Sequence, residues 1–494
     1  MERRVKIVAT IGPASDSEEV LERLFRTGVN VARLNFSHGT HEQHAARIER
    51  IRMLSDKLGI SLGILQDLQG PKIRVGKLAS PIQLLQGESI HLYASGGAAP
   101  KADRQSVPVD FRELFESVKV GDALLMDDGR LRLEVLAVMG GVLEAKVQVG
   151  GLLSSHKGIN LPGVKLRIAG FTGKDKADLE FGISKGVDAV AISFVRTVDD
   201  VKTVRAAMKK AAGAKRLPLL IAKLEKPEAL AHLDGILDNV DGIMVARGDL
   251  GVELPPEQVP PIQKRMIQSA NARAKLVITA TQMLESMIQN PLPTRAEASD
   301  VANAVFDGTD AVMLSAETAS GEYPVETVAI MDRIVREAEA HFVEWGARRA
   351  PVSALGESDA ASMARAANEL ARDVDVAAVA VFTMQGNSAW LMSKARPAKH
   401  ILAFTPEAET YPQLAFLWGV VPYRIRYAES LEQMILEVDA ALLKSGIQAG
   451  QQVVLVCGFP VGARRPPNMA LLHTVGSDAT MQLSRKLLRQ KGGA

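Results

Sequence analysis

The chain has 494 residues, which at roughly 150 per domain predicts about three domains with ample material for a large core. Hydrophobic residues make up 47% and charged residues 23%, a balance that excludes a disordered or fibrous protein. The 59 Lys and Arg against 57 Asp and Glu leave a formal charge of +2, so the bulk electrostatic case for a nucleic-acid or anionic-membrane binder is missing. Aromatics are only 4%, so the core must be aliphatic, which suits buried parallel strands under helices.

In chain order, short apolar runs recur, each followed by a polar, Gly-containing segment and then a helical pattern. They are Val5 to Thr10, Val29 to Leu34, Leu62 to Leu65, Ala189 to Phe194, Leu217 to Ala222, Gly242 to Ala246, Leu276 to Thr281 and Ala311 to Leu314. These eight strand-then-helix units predict a parallel (β/α)8 barrel. Ser17 to Arg26, Thr40 to Leu58, Asp199 to Ala212 and Val259 to Ala274 carry apolar spacing near the helical repeat. Between the third and fourth runs, residues 71–168 alternate apolar and polar, with turn signals at Asp127, Asp128, Gly129 and at Gly140, Gly141. That texture predicts a small β-barrel lid domain inserted into a barrel of residues 1–70 and 169–350. After the linker Pro351 to Glu357, strand-like Val376 to Phe382, His400 to Phe404 and Gln452 to Val456 alternate with helices such as Leu431 to Lys444. This predicts an open α/β sheet domain over 357–494.

The single cysteine, Cys457, excludes an intrachain disulfide framework and reads as a buried small hydrophobe in a reducing compartment. Met1 to Lys6 is basic, but no apolar stretch of signal-peptide length follows before Gly12 and Pro13. The uncharged runs Val376 to Ser393 and Ser445 to Ala463 carry Gln, Asn, Ser, Gly and Pro, so no membrane span is read and a cytoplasmic location is expected.

In a barrel of this kind, the loops at the C-terminal strand ends share one mouth. The second strand ends in Arg33, Asn35, Ser37 and His38; Arg33 can hold phosphate bidentately, and Asn35 and Ser37 offer oxygens to a hard cation. The third ends in Asp67, Gly70, Pro71, Lys72 and Arg74, crowding charge where the chain leaves the barrel. Lys223 and Glu225 follow the fifth, two apart on an extended segment and so facing the same way. Gly248 and Asp249 follow the sixth, and two carboxylates from neighbouring strands can share Mg²⁺. Thr281, after the seventh, is placed as the N-cap of the next helix, whose N-terminus is also an anion seat. Any of these segments alone could be a turn, a cap or a structural ion pair. Together they read as phosphoryl transfer or enolate chemistry.

Ala9 to Pro13 (ATIGP), Asn35 to Gly39 (NFSHG), Gly70 to Arg74 (GPKIR), Lys157 to Gly163 (KGINLPG), Met244 to Glu253 (MVARGDLGVE) and Ala280 to Ser286 (ATQMLES) closely resemble pyruvate kinases, in order across all three predicted domains. The resemblance implies transfer of the phosphoryl group of phosphoenolpyruvate to ADP, giving ATP and pyruvate. It implies Glu225 and Asp249 as ligands of Mg²⁺, with Mn²⁺ as a substitute, and Lys223 as the cation at the moving phosphoryl group and enolate oxygen. Arg33 would hold the phosphate. Backbone N–H groups near Gly248 and Asp249, with Thr281, would take the carboxylate, and Thr281 is a candidate for the proton route. Asn35, Ser37, His38, Arg74 and Lys157 would face the nucleotide, Lys157 from the lid. The resemblance also suggests a homotetramer.

Where many members of that family read Asp-Thr-Lys-Gly-Pro-Glu and need K⁺, bound near Asn35, Ser37 and Asp67, this chain has Lys72. A tethered ammonium beside Asp67 is expected to remove the K⁺ requirement. Thr383, Gly386, Asn387 and Ser388 follow a strand and open a helix. They read either as a cradle for a phosphorylated allosteric effector or as a plain helix start, with Arg464 and Arg465 facing either a second phosphate or water. The competing readings are another Mg²⁺-dependent phosphoenolpyruvate or enolate barrel, such as an aldolase or lyase, and a metabolite sensor on a dead barrel.

Overall fold

The computed structural model describes residues 3–97, 99–100, 104–127, 129–164, 170–346, 358–478, 480 and 482. Asp128, the lid boundary at 165–169 and the linker Pro351 to Glu357 lie outside the described residues. Eight parallel strands close a barrel: β1 (Lys6–Thr10), β2 (Val31–Asn35), β3 (Gly63–Asp67), β4 (Ala189–Ile192), β5 (Leu219–Leu224), β6 (Gly242–Ala246), β7 (Leu276–Ala280) and β8 (Ala311–Leu314). Each pairs with its chain neighbour, and β1 pairs with both β2 and β8. All eight expected runs are strands, with ends shifted by a few residues; β5 extends to Leu224 and so includes Lys223.

Side chains alternate along these strands, as a period of two requires. Val8, Val31, Ile221, Met244, Leu276, Ile278 and Met313 fill the barrel interior. Ile7, Ala9, Ala32, Ile243 and Val277 face outward into the helix layer. The helices start where their caps allow. Ser17 caps Glu18–Thr27, and Thr40 forms a reciprocal capping box with Gln43 at the start of His41–Leu58.

The inserted segment is a curled six-stranded sheet, ordered Ile159–Asn160, Ala123–Met126, Leu131–Met139, Val142–Val149, Ser89–Ala94, Ser106–Val109, with a two-stranded ribbon beside it. It has its own apolar core, from Ile73 and Val75 to Leu161. The turns sit where expected, with Asp127, Gly129, Gly140 and Gly141 all at positive φ.

The C-terminal sheet contains β9 (Ala378–Phe382), β10 (Ile401–Thr405), β11 (Val420–Arg424), β12 (Gln452–Cys457) and β13 (Met469–Thr474), in the order β11-β10-β9-β12-β13. Only β13 runs antiparallel. The strands not anticipated are the two edges: β11 contains Pro422, tolerated on an edge, and β13 is half exposed. Cys457 is buried, and burial pushes its thiol up to about 11, as a small core hydrophobe behaves. No helix among the described residues is long and apolar enough to cross a membrane.

The C-terminal sheet closes the barrel floor. Phe416 is almost fully buried and belongs to the same apolar cluster as the barrel interior. Gly63, at the start of β3, has no side chain because a Cβ there would lie 2.5 Å from the Phe416 ring. Beside this plug, Lys394 and Arg396 reach Asp310, each at 2.5 Å. Burial pushes the Lys394 ammonium down to about 8, although Asp310 opposes that shift. Trp390 fixes its indole by donating to the Ala274 carbonyl at 2.7 Å. We expect Phe416→Ala to cost ~3–5 kcal/mol, the usual penalty for emptying a large buried aromatic site. Urea unfolding checks this; an unchanged first transition would show that the plug does not hold the two domains together.

Candidate active site

The polar strand ends converge on one cluster. Arg33, at the end of β2, is buried; its Nε donates to Asp67 Oδ2 at 2.7 Å and its NH1 to Thr10 Oγ1 at 2.9 Å. Asp67, at the end of β3, thus faces Arg33 with one oxygen and Lys223 with the other, 3.6 Å away. Lys223 Nζ also lies 2.6 Å from Glu225 Oε1 and donates to Ser193 Oγ at 2.9 Å. Glu225 Oε2 accepts the Phe194 N–H at 2.9 Å. The reading that Lys223 and Glu225 point the same way therefore holds.

Burial pushes the Lys223 pKa down, but Asp67, Glu225 and Asp249 outweigh it and raise it above the ordinary lysine value. Burial pushes the Glu225 carboxyl up as well, opposed by Lys223 and reinforced by Asp249. The two shifts favour opposite states of one close pair. The Lys223 direction governs, because three carboxylates surround a single ammonium. Asp249 itself makes no hydrogen bond or ion pair among the described residues. A buried carboxylate strained by an unpaired neighbour is a donor set that a divalent cation would relieve. The two stand as a pair, since no group of three or more His, Cys, Asp or Glu among the described residues could hold a metal.

Thr281 departs from expectation. It and Gln282 both sit at positive φ, which breaks the chain direction, and only a short 3₁₀ turn, Glu285–Ile288, follows, with Leu284 as its N-cap. Thr281 is therefore not the cap of the next helix. Its Oγ1 instead accepts the Gly248 N–H at 2.7 Å, capping the Arg247–Glu253 helix that follows β6. Arg247 secures this junction by donating to the Thr281 carbonyl at 2.7 Å and to Asp300.

Around the mouth, Asn35 Oδ1 accepts the Ser37 N–H at 3.1 Å, shaping the turn that carries His38. Burial lowers the His38 pKa, and Arg74, Lys72 and Arg33 lower it further, so the ring is neutral at pH 7 within a ring of cations. Arg74 donates to the His156 carbonyl at 2.9 Å, and Lys157 pairs with Asp127 at 2.7 Å inside the lid. Lys72 lies against Gly158 of the lid. The structure does not place it in an ion pair with Asp67, whose charged partners among the described residues are Arg33 and Lys223. The lid touches the mouth through Asn160, which donates to Glu253 at 3.4 Å.

Sequence reading missed Thr10, Ser193 and Phe194. Thr10 stands inside the ATIGP motif and Ser193 just past β4, so strand-end position was the available signal for both. Phe194 adopts φ 58°, and Gly70, at φ 69°, leaves room for its ring: a Cβ there would lie 2.7 Å from it. That close approach has no local signature. In the C-terminal sheet, Gly386 caps the Asn387–Ala395 helix and donates its N–H to Thr383 Oγ1 at 2.9 Å. Thr383, Asn387 and Ser388 line a small hollow of about 20 Å³ together with Arg464 and Arg465.

Comparison with known proteins agrees with this architecture. Residues 2–328 match the family described as pyruvate kinase, barrel domain, and residues 361–473 match pyruvate kinase, alpha/beta domain. A pyruvate kinase from Agrobacterium vitis is 47% identical over 460 residues, covering 93% of this chain and 95% of the relative. One from Mycobacterium intracellulare is 43% identical over 97% of this chain and 100% of the relative. One from Geobacillus stearothermophilus is 43% identical over 96% of this chain and 81% of the relative. With matches of this extent over the barrel and the C-terminal sheet, the chain belongs to the pyruvate kinase family of phosphotransferases.

Proposed function

We propose that the mouth transfers the phosphoryl group of phosphoenolpyruvate to ADP and protonates the resulting enolate to pyruvate. The observation that carries this reading is Lys223, an ammonium held charged at the end of β5 by Asp67 and Glu225. A fixed charge that needs no reorganisation stabilises the developing enolate oxygen and the transferring phosphoryl group. Arg33, aimed by Asp67 and Thr10, binds the phosphate. Backbone N–H groups near Gly248 and Asp249, with Thr281, would take the carboxylate in place of the bond that the Gly248 N–H donates to Thr281 Oγ1, and Thr281 lies on the proton route. Glu225 and Asp249 would hold Mg²⁺, or Mn²⁺, whose chemistry when bound is charge neutralisation at the phosphoryl oxygens.

The ADP side is formed by Asn35, Ser37, His38 and Arg74, with Lys157 delivered when the lid closes. We further infer a division into barrel (1–70 and 169–350), lid (71–168) and regulatory sheet (357–494), a cytoplasmic homotetramer, and a phosphorylated effector at Thr383, Gly386, Asn387 and Ser388. Independence from K⁺ is inferred from Lys72, which adds a permanent cation beside Arg74 and His38. Since it makes no ion pair with Asp67, its influence there acts through space.

Coupling pyruvate formation to an indicator reaction, with and without ADP, tests the reaction directly. Release that depends on ADP is expected; release without ADP would favour an aldolase or lyase. Replacing K⁺ by tetramethylammonium at constant Mg²⁺ is expected to leave turnover within about threefold, below the ~1.4 kcal/mol of a tenfold change. Lys72→Glu is expected to create a K⁺ requirement. A collapse of wild-type activity without K⁺ would overturn the Lys72 assignment.

A further inference from the structure

The loop that carries Asn35, Ser37 and His38 is held through its backbone. The Phe36 N–H donates to the Asp67 carbonyl at 2.9 Å, the Ser37 N–H to Asn35 Oδ1 at 3.1 Å and the His38 N–H to the Asn35 carbonyl at 3.3 Å. Two carbonyls of the loop are taken by side chains from two different helices. Lys174 Nζ donates to the Phe36 carbonyl at 2.7 Å, and His44 Nε2 lies 2.9 Å from the His38 carbonyl. A carbonyl can only accept, so His44 carries its proton on Nε2. His44 stands in the first turns of the helix His41–Leu58, just past the capping box of Thr40 and Gln43, and is almost fully buried. Its ring stacks on Phe36, with centroids 4.0 Å apart and planes 10° from parallel. Gly39, between loop and helix, adopts φ 82°, and a Cβ there would lie 3.3 Å from His44 Nε2, so the turn leaves this bond its space. Burial lowers the His44 pKa; Arg47 and His41 add to that shift while the His38 carbonyl and Asp178 oppose it, and the ring is neutral at pH 7. Its Nδ1 has no hydrogen-bond partner among the described residues. An imidazole is therefore the costlier choice here, since a phenyl ring would stack on Phe36 and leave no buried nitrogen bare. What the imidazole adds is the Nε2–H on the His38 carbonyl.

We propose that His44 is a positioning residue for the nucleotide: by fixing the His38 carbonyl it holds the His38 side chain among Arg33, Lys72 and Arg74 in the orientation that receives ADP. The inference rests on the reading of Asn35, Ser37 and His38 as the ADP side. Without the His44 bond, the peptide that follows His38 is restrained by the 3.3 Å bond from the His38 N–H, and the next residue, Gly39, is free in φ. The loss falls on ADP and not on phosphoenolpyruvate. Arg33 and Lys223 are aimed by Asp67, Thr10 and Ser193, through bonds that do not involve His44.

Steady-state kinetics of the full chain, with ADP and phosphoenolpyruvate varied separately, tests the assignment. His44→Phe keeps the stack and removes the donor. It is expected to raise KM for ADP at least about tenfold, to leave kcat and KM for phosphoenolpyruvate within about threefold, and to unfold in urea at the wild-type midpoint. His44→Gln, whose amide N–H can take the place of Nε2–H, is expected to return KM for ADP to within about threefold of wild type. Added to His38→Ala, the His44→Phe change is expected to have no further effect on KM for ADP, because His44 acts through His38. An unchanged KM for ADP in His44→Phe, a rise that comes with an earlier urea transition and that His44→Gln does not reverse, or an effect that adds in full to that of His38→Ala would overturn the assignment. The reading beneath it fails separately, through a wild type whose turnover ignores ADP or a His38→Ala variant with the wild-type KM for ADP.

Discussion

One buried ammonium organises the catalytic end of this protein. Lys223 is out of water, and an unpaired charge there would cost several kcal/mol. Its protonated state is sustained by carboxylates drawn from separate parts of the chain: Asp67 from β3, Glu225 from just past β5 and Asp249 from just past β6. The closed parallel barrel gathers those strand ends around one mouth, β5 beside β6 and β3 one strand beyond β4. Asp67 then serves twice, because the oxygen not facing Lys223 orients Arg33. Arg33 and Lys223 are thus tied to one carboxylate.

The opposite end of the barrel depends on the C-terminal sheet. Phe416 fills the interior from below, and Asp310, placed just before β8, draws Lys394 and Arg396 onto the rim. The helix bearing Trp390 and Lys394 begins at Gly386, so its first turn faces the small hollow while its last turn is anchored to the barrel. The C-terminal sheet attached in this way packs against the floor just where β5 and β7 begin, through Gln413 on the Leu217 carbonyl and Trp390 on the Ala274 carbonyl.

The eight barrel strands were legible because each is buried on both faces and reads as an uninterrupted aliphatic run, and the capped helices announced their own starts. The two edge strands of the C-terminal sheet were not legible: Pro422 and a half-exposed face dilute their pattern. At the site, Lys223, Glu225, Asp67 and Arg33 could be chosen from residue type and strand-end position. What they touch could not, because Ser193, Thr10 and Phe194 meet them only through folding. Thr281 shows the limit most clearly. A threonine after a strand resembles a local cap, yet its positive φ turns its hydroxyl to a helix that starts more than thirty residues earlier. Lys72 is a related case, since adjacency in sequence suggested a contact with Asp67 that Arg33 and Lys223 already occupy.

In the proposed reaction the charge on Lys223 performs the chemistry while Glu225 and Asp249 hold the metal. Lys223→Met, assayed for ADP-dependent pyruvate formation alongside Mn²⁺ binding by electron paramagnetic resonance, tests it most directly. Turnover is expected to fall at least about a hundredfold, as loss of a preorganised charge at a developing oxyanion does elsewhere, with Mn²⁺ still bound. Turnover close to wild type with the metal still bound would contradict the account.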